Sequence, residues 1–132
     1  MEQLVVRSYG KRDIIDITKL VEGVLERNSY IDGLCHLFTP HTTCAVTTAD
    51  LDPGTEQDYA SASEALLGGV KFNHPHNPEH FLAHYLGAIV GPSLILPSSH
   101  GEFLLGEWQR VVLLEFDGPK DRKINISFIS EK

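Results

Sequence analysis

Five of the seven histidines in this chain, His41, His74, His76, His80 and His84, fall in segments that read as turns, a loop, or the helix beside that loop. Histidine is the commonest metal ligand and the usual general acid or base near neutral pH, so imidazoles gathered outside core elements point to metal or proton-transfer chemistry. His80 and His84 lie four residues apart, so on a helix they share a face and present two rings to one ion. The pair lacks the Glu of a His-Glu-x-x-His zinc-protease pattern and has no cysteine near it, which makes a chance pairing on a helix surface the ordinary reading of the spacing. His41 follows Pro40 at a turn leading into a strand, where a ring either projects over a sheet edge or hydrogen-bonds back to the backbone.

Two further features bear on chemistry. Glu115 interrupts the apolar run Val111-Val112-Leu113-Leu114 before Phe116. An unpaired carboxylate buried there would cost several kcal/mol, so Glu115 is expected to face outward unless a cation or donor meets it. Trp108 and Gln109, just ahead of that strand, would form a rigid wall carrying an amide, with core burial the ordinary role for the tryptophan.

The elements that must position these residues follow from patterning. Gln3 to Tyr9 and Arg12 to Thr18 alternate around Gly10-Lys11 and predict an opening hairpin. Leu20, Val21, Val24 and Leu25 predict a helix over about Thr18 to Asn28, with Thr18 or Asp16 as N-cap. Gly33 to Phe38 and Thr42 to Thr48 read as a second hairpin turning at Thr39-Pro40-His41. With Phe38 facing Thr42, Cys35 and Cys44 fall on opposite faces and cannot bridge, and both read as small buried apolar residues. Thr55 opens a helix to Leu67, with Glu56 and Asp58 complementing its dipole. Phe72 to Pro78 is a loop that carries His74 and His76, and Glu79 to Val90 is a helix ended by Gly91-Pro92. Ser93 to Leu96, Glu102 to Leu105, Gln109 to Phe116 and Lys123 to Ile129 are strands. Because strands come in groups rather than alternating with helices, the class is α+β, a mostly antiparallel, β-sandwich-like core with two or three helices.

Composition bounds the function. A chain of 132 residues, 42% hydrophobic and 22% charged, suits one domain, residues 1–132, with too many aliphatics for disorder. Met1 to Arg7 enters a strand pattern rather than a signal peptide, and no apolar run reaches membrane length, so a cytoplasmic protein with no membrane partner is expected. The formal charge of −7 argues against a nucleic-acid partner. A local basic site could come only from Arg110 or from Lys120, Arg122 and Lys123.

Taken together, His41-Thr42-Thr43, Asp52-Pro53, Asp58, Ala83-His84, Gly91-Pro92-Ser93-Leu94, Gly106-Glu107-Trp108-Gln109, Glu115 and Asp117-Gly118-Pro119 resemble the YjbQ-like family, the secondary thiamine-phosphate synthase family, over essentially the whole chain. The resemblance implies a sandwich-like subunit that assembles as a homotrimer, with a polar histidine site near the subunit boundary and a small-molecule substrate. His41 matches the histidine of the family's His-Thr turn and His84 that of its Ala/Ser-His helix motif. The third histidine falls to His74, with His76 as the rival alignment. We read His41, His74 and His84 on this basis as a three-histidine site for a divalent ion, zinc first and magnesium second. The chain departs from the family at Ala49-Asp50, at Glu107, at Lys120 and at His80, changes that keep the matched histidines but alter the acids around them.

Three functions follow as expectations. The first is the transfer reaction that the resemblance implies, in which a pyrimidine-methyl pyrophosphate joins a thiazole phosphate, with Thr43, Trp108, Gln109, Lys120 and Arg122 as substrate contacts. The second is a metal-dependent hydrolase or lyase, with His41, Asp50, Glu79 or Glu115 in acid/base roles. The third is a non-catalytic pocket for a metal or an anion.

Overall fold

Alternation along the strands sets how the layers of this protein face one another. The computed structural model describes residues 1–66, 73 and 78–131, with Pro78 and Glu79 described by their backbone alone. In chain order the elements are β1 (Glu2–Arg7), β2 (Asp13–Asp16), α1 (Thr18–Arg27), β3 (Gly33–Phe38), β4 (Cys44–Ala49), α2 (Thr55–Ala65), α3 (Pro78–Val90), β5 (Ser93–Ser99), β6 (Glu102–Phe103), β7 (Arg110–Glu115) and β8 (Asp121–Ser130). They build a five-stranded sheet in the order β1-β8-β3-β5-β6 and a three-stranded sheet in the order β2-β7-β4, with every pairing antiparallel. The expected α+β, sandwich-like class is the observed one.

Val6, Cys35, Leu37, Leu96, Ile124 and Ile126 line the inner face of the larger sheet. Cys44, Val46, Val111 and Leu113 answer them from the smaller one, and Val21, Val24 and Leu25 of α1 close the side. The smaller sheet is covered on its other face too, where Ala45, Leu114 and Phe116 pack against Leu82, Ala83 and Leu86 of α3. A strand buried on both faces reads as a continuous apolar run, which is why β7 shows Val-Val-Leu-Leu without alternation. The N-cap of helix α1 is Ile17, neither of the two expected residues, and it makes no side-chain capping bond; Asp16, just ahead of it, accepts at Oδ1 from the Thr18 N–H (3.0 Å) and hydroxyl (2.6 Å). Among the described residues, no helix is long and apolar enough to cross a membrane.

Both expected hairpins are absent. β1 and β2 lie in different sheets, as do β3 and β4, and β7 and β8 divide the same way. Each short connection instead carries the chain across the core from one sheet to the other, because each flanking strand has an apolar face to bury and the two sheets bury theirs against each other. Cys35 and Cys44 consequently enter the same core from opposite sheets, both buried and free, rather than lying on opposite faces of one sheet.

All three crossings sit at one end of the sandwich, because Asp13 and Cys44 both pair with Glu115, and Arg7 pairs with Asp121. Helix α3 reaches that end through Gly87. A Cβ there would stand 2.5 Å from the Thr42 carbonyl oxygen. Alanine for glycine inside a helix ordinarily stabilises by about 1 kcal/mol, whereas forced overpacking costs about 1–3 kcal/mol. Gly87→Ala is therefore expected to lower stability in a denaturant melt and to shift the ring resonances of His41 and His84. A stabilised variant with unmoved resonances would contradict this close approach.

Candidate functional site

The site grows out of the crossing from β3 to β4, Thr39 to Thr43, which is held at every step. The Thr39 N–H donates to the Pro92 carbonyl (2.8 Å) and its hydroxyl to the Lys123 carbonyl (3.0 Å). The Lys123 N–H donates to Nε2 of His41 at 3.0 Å, and the Phe116 N–H to the Thr43 carbonyl at 3.1 Å. An imidazole accepting at Nε2 carries its proton on Nδ1 when neutral. Burial, together with the charges of Arg122, Lys123 and Lys120 against the opposing Glu115, lowers the His41 pKa and keeps the ring neutral. His41 thus presents an N–H donor in a positive local field.

Beneath this loop, Glu115 faces the core, on the same side of β7 as Val111 and Leu113, and is 1% exposed. The expectation that it points outward is corrected, because the compensating cation is present. Arg122, on the inner face of β8, donates from Nε to Glu115 Oε1 at 2.9 Å and from Nη2 to Oε2. The Ser8 hydroxyl adds a 2.6 Å bond to Oε1, and the Asp117 N–H donates to Oε2 at 3.1 Å. Burial alone raises the Glu115 pKa, but the bonds from Arg122, Ser8 and Asp117 outweigh it and hold the carboxyl below its ordinary value. Nη2 of Arg122 also donates to Oγ1 (2.7 Å) and to the carbonyl (3.1 Å) of Thr43. Among the described residues Nη1 meets no acceptor, and it is not sealed from solvent.

Arg122, Thr43 and His41 share a polar hollow of about 430 Å³ with Lys120, Asp117, His80 and His84. Lys120 Nζ lies 2.7 Å from Asp117 Oδ2, and Nδ1 of His80 lies 3.6 Å from the same oxygen. On α3 the Nε2 atoms of His80 and His84 stand 3.1 Å apart. Burial raises the Asp117 pKa, but Lys120, His80 and Arg122 together bring it below the usual value.

The family described as UPF0047 protein, YjbQ-like, matches this chain over residues 2–131. The chain belongs to the YjbQ-like UPF0047 family. The UPF0047 protein of Archaeoglobus fulgidus is 34% identical over 123 residues, covering 92% of this chain and 95% of that protein. The protein YugU of Bacillus subtilis is 27% identical, covering 98% of both chains. Among solved structures, a hypothetical protein from Aeropyrum pernix superposes with a TM-score of 0.91 at 29% identity, covering 98% of each chain. A conserved hypothetical protein from Thermus thermophilus does so with a TM-score of 0.85 at 32% identity, covering 98% of this chain and all of that one.

Within this YjbQ-like chain the residues singled out from sequence divide between two ends of the smaller sheet. His41, Thr43, His84, Glu115, Lys120 and Arg122 gather at the crossing end. Asp50, Trp108 and Gln109 lie at the other, beyond the Ala49–Arg110 pair, and a six-residue strand separates the ends by about 17–20 Å. Asp50 borders a separate hollow with Thr55, Asp58 and Tyr59. Trp108 is 65% exposed rather than a core residue. Gln109 braces a turn, accepting from the Gly106 N–H at 2.8 Å and donating to the Thr48 hydroxyl at 3.1 Å. Arg110 is engaged by Asp16 at 2.8 Å. His74, His76 and the side chain of Glu79 lie outside the described residues.

Among the described residues no three His, Cys, Asp or Glu side chains are arranged to hold an ion. His41 already takes a peptide N–H at Nε2, which suits a donor role better than ligation. Sequence reasoning gave no site role to Asp117, noted only within the Asp117-Gly118-Pro119 motif, or to Ser8. The Asp-Gly-Pro-Lys spacing, with Lys120 three residues after Asp117, was the only local signal.

Removing one partner of a buried pair strands the other and costs about 3–5 kcal/mol. Glu115→Gln is expected to lose stability toward the lower end of that range by denaturant melt, while Glu115→Leu with Arg122→Met recovers part of it. The sign with pH follows from the lowered pKa. The Glu115 contribution is complete above the ordinary carboxylate range and is lost as pH falls through the lowered value, so the acid limb of the stability curve should flatten in Glu115→Gln.

Proposed function

We propose that this protein is an enzyme acting on a phosphorylated small molecule whose phosphoryl oxygens sit in the hollow between His41, Arg122 and Lys120. The observation that carries this reading is the state of Arg122. Its Nε and Nη2 are clamped by Glu115 and Thr43, so the guanidinium is held rigid with Nη1 as the nitrogen left to receive an anion. The neutral His41 supplies a second donor, and Lys120, 48% exposed and paired with Asp117, a cation at the rim. Donors fixed before substrate arrives stabilise charge that develops during reaction without having to reorganise, and this stabilisation usually dominates when a phosphoryl or pyrophosphate group departs.

The finer reading is the thiamine-phosphate synthase reaction, a transferase step suggested by the resemblance to that family. The thiazole nitrogen attacks the pyrimidine methylene, the carbon–oxygen bond breaks, and pyrophosphate leaves with the electron pair. His41 and Arg122 are suited to bind that leaving group, and a divalent ion, zinc or magnesium, would neutralise its charge. A cytoplasmic location agrees with such a substrate.

A homotrimer belongs to the same reading. It is supported by the outer face of the five-stranded sheet, where Leu34, Phe38, Ile95 and Ile129 are exposed, with Leu34 paired beside Ile129. Contiguous exposed apolar side chains of this kind mark contact surfaces. Light scattering should give three times the 14.7 kDa chain mass, and Ile95→Lys should shift the population toward monomer. A monomeric parent protein at micromolar concentration would remove this part of the reading.

Two measurements test the function. Pyrophosphate should raise the titration midpoint of His41, followed by ring NMR, because a bound anion favours the imidazolium; Arg122→Lys should weaken that response. With both thiamine precursors present, His41→Gln and Arg122→Lys should each lower kcat/KM by about 10²–10³. No response to pyrophosphate would overturn the phosphate site. A response without turnover in saturating Mg²⁺ and Zn²⁺ would overturn the synthase assignment alone.

A further inference from the structure

We infer that Arg12 is a concealed binding site for an oxyanion, a phosphate or carboxylate group, and that α2 is a strap which Glu64 latches over it. The Arg12 side chain is 5% exposed. Nη1 donates to the Phe116 carbonyl, whereas Nε and Nη2 are sealed from solvent and no acceptor among the described residues meets either one. These two nitrogens share one edge of the guanidinium, the edge that can take two oxygens of a single carboxylate or phosphate. A sealed cation with that edge unmet is unfavourable, because only aligned acceptors offset its loss of water. Oε1 of Glu64 stands 3.1 Å from Nε but off the N–H direction, so this carboxylate supplies charge without a hydrogen bond. Its acidic neighbours are engaged elsewhere. Glu115 accepts from Arg122, Ser8 and the Asp117 N–H, and Oδ2 of Asp13 accepts from the Tyr9 N–H at 3.2 Å.

A second observation is independent of the first: little holds α2 in place. Tyr59, Ala60 and Ser63 of α2 roof a cavity of about 10 Å³ over Arg12, Leu114 and Phe116. That is room for about one water, so an oxyanion reaches Arg12 only once α2 lifts. No residue of α2 is buried. Its side-chain hydrogen bonds stay within the helix and its lead-in, from Thr55 to the Asp52 carbonyl, from Tyr59 to the Asp50 carbonyl and from Ser63 to the Tyr59 carbonyl. A helix of 11 residues is too short to be stable without packing, and among the described residues the Glu64–Arg12 pair is its polar tie to the sandwich. Glu64 is 49% exposed, and an ion pair with one partner in solvent holds weakly.

The seated strap therefore leaves Arg12 under-bonded, and the lifted strap opens its free edge to an anion. An anion that meets Arg12 only in the lifted state shifts the population toward that state. None of the residues lining the hollow of His41 and Arg122 lines this cavity, so the Arg12 site does not rest on the proposed function.

Hydrogen exchange of the α2 amides is followed by mass spectrometry in inorganic phosphate, in acetate and in chloride at equal ionic strength, the chloride arm accounting for ordinary screening of the ion pair. The expected result is exchange about tenfold faster in phosphate than in chloride. Acetate acting likewise would mark a receptor for either oxyanion, and inert acetate a receptor for phosphate alone. Glu64→Gln should exchange fast in chloride already, and the phosphate midpoint read from the Arg12 Nε–H resonance should fall by about tenfold. Arg12→Lys keeps the charge without the fork and should lose the phosphate response, while His41→Gln should keep it. Circular dichroism checks the fold of each variant, and Glu64→Gln, at an exposed side chain, decides where Arg12→Lys does not fold. Equal exchange in phosphate and chloride, an α2 unprotected in chloride, slow exchange in Glu64→Gln, or a phosphate response that survives in Arg12→Lys would each overturn the assignment. The pyrophosphate response of His41 is read in Arg12→Lys as well, so failure of this site and failure of the hollow are seen separately.

Discussion

A single ion pair, Glu115 with Arg122, organises the end of the sandwich where the chain changes sheets. Each partner sits on the inner face of a different sheet, so their contact spans the core, with the Arg122 side chain 4% exposed and that of Glu115 fully buried. Two charges taken from water are tolerated only if their remaining valences are met. Ser8, the Asp117 N–H and Thr43 meet them. Those partners come from the three crossings, between β1 and β2, β3 and β4, and β7 and β8, so satisfying the pair also fixes the loops that carry the site.

The same requirement makes the hollow polar and rigid. Thr43 cannot leave Arg122 without exposing a buried guanidinium, and His41, two residues earlier, is held by the neighbouring Lys123 N–H. Helix α3 approaches from the far side of the smaller sheet, where Gly87 lets it rest on the Thr42 carbonyl. The face it offers carries His80 and His84. A structural pair, a turn histidine and a helix histidine pair, remote from one another in the chain, thus enclose one volume.

Local patterning made the helices and most of the strands legible. Leu20, Val21, Val24 and Leu25 placed α1 within a residue of its observed bounds, and the starts of α2 and α3 lie at or next to the predicted ones. The class and family were legible as well. The partnership of the strands was not, because a short turn between two alternating segments serves equally for a hairpin and for a crossing between sheets. That ambiguity misplaced Cys35 relative to Cys44 and obscured how Glu115 could be buried. Gathering of the site was legible only in part: His41, Thr43, Lys120 and Arg122 were named and share one hollow, Asp117 was noted only within its Asp-Gly-Pro motif, and Asp50, Trp108 and Gln109 lie at the other end of the smaller sheet.

By itself the sequence determined the elements, their apolar faces and which residue types were available for chemistry, since these depend on neighbours within a few positions. Tertiary structure decided which charge meets which, and therefore which polar side chains are buried. The reason is physical. The cost of burying Glu115 is offset by a cation seven residues later on the opposite sheet and by donors from Ser8 and Asp117, and no periodicity in the chain records those distances in space.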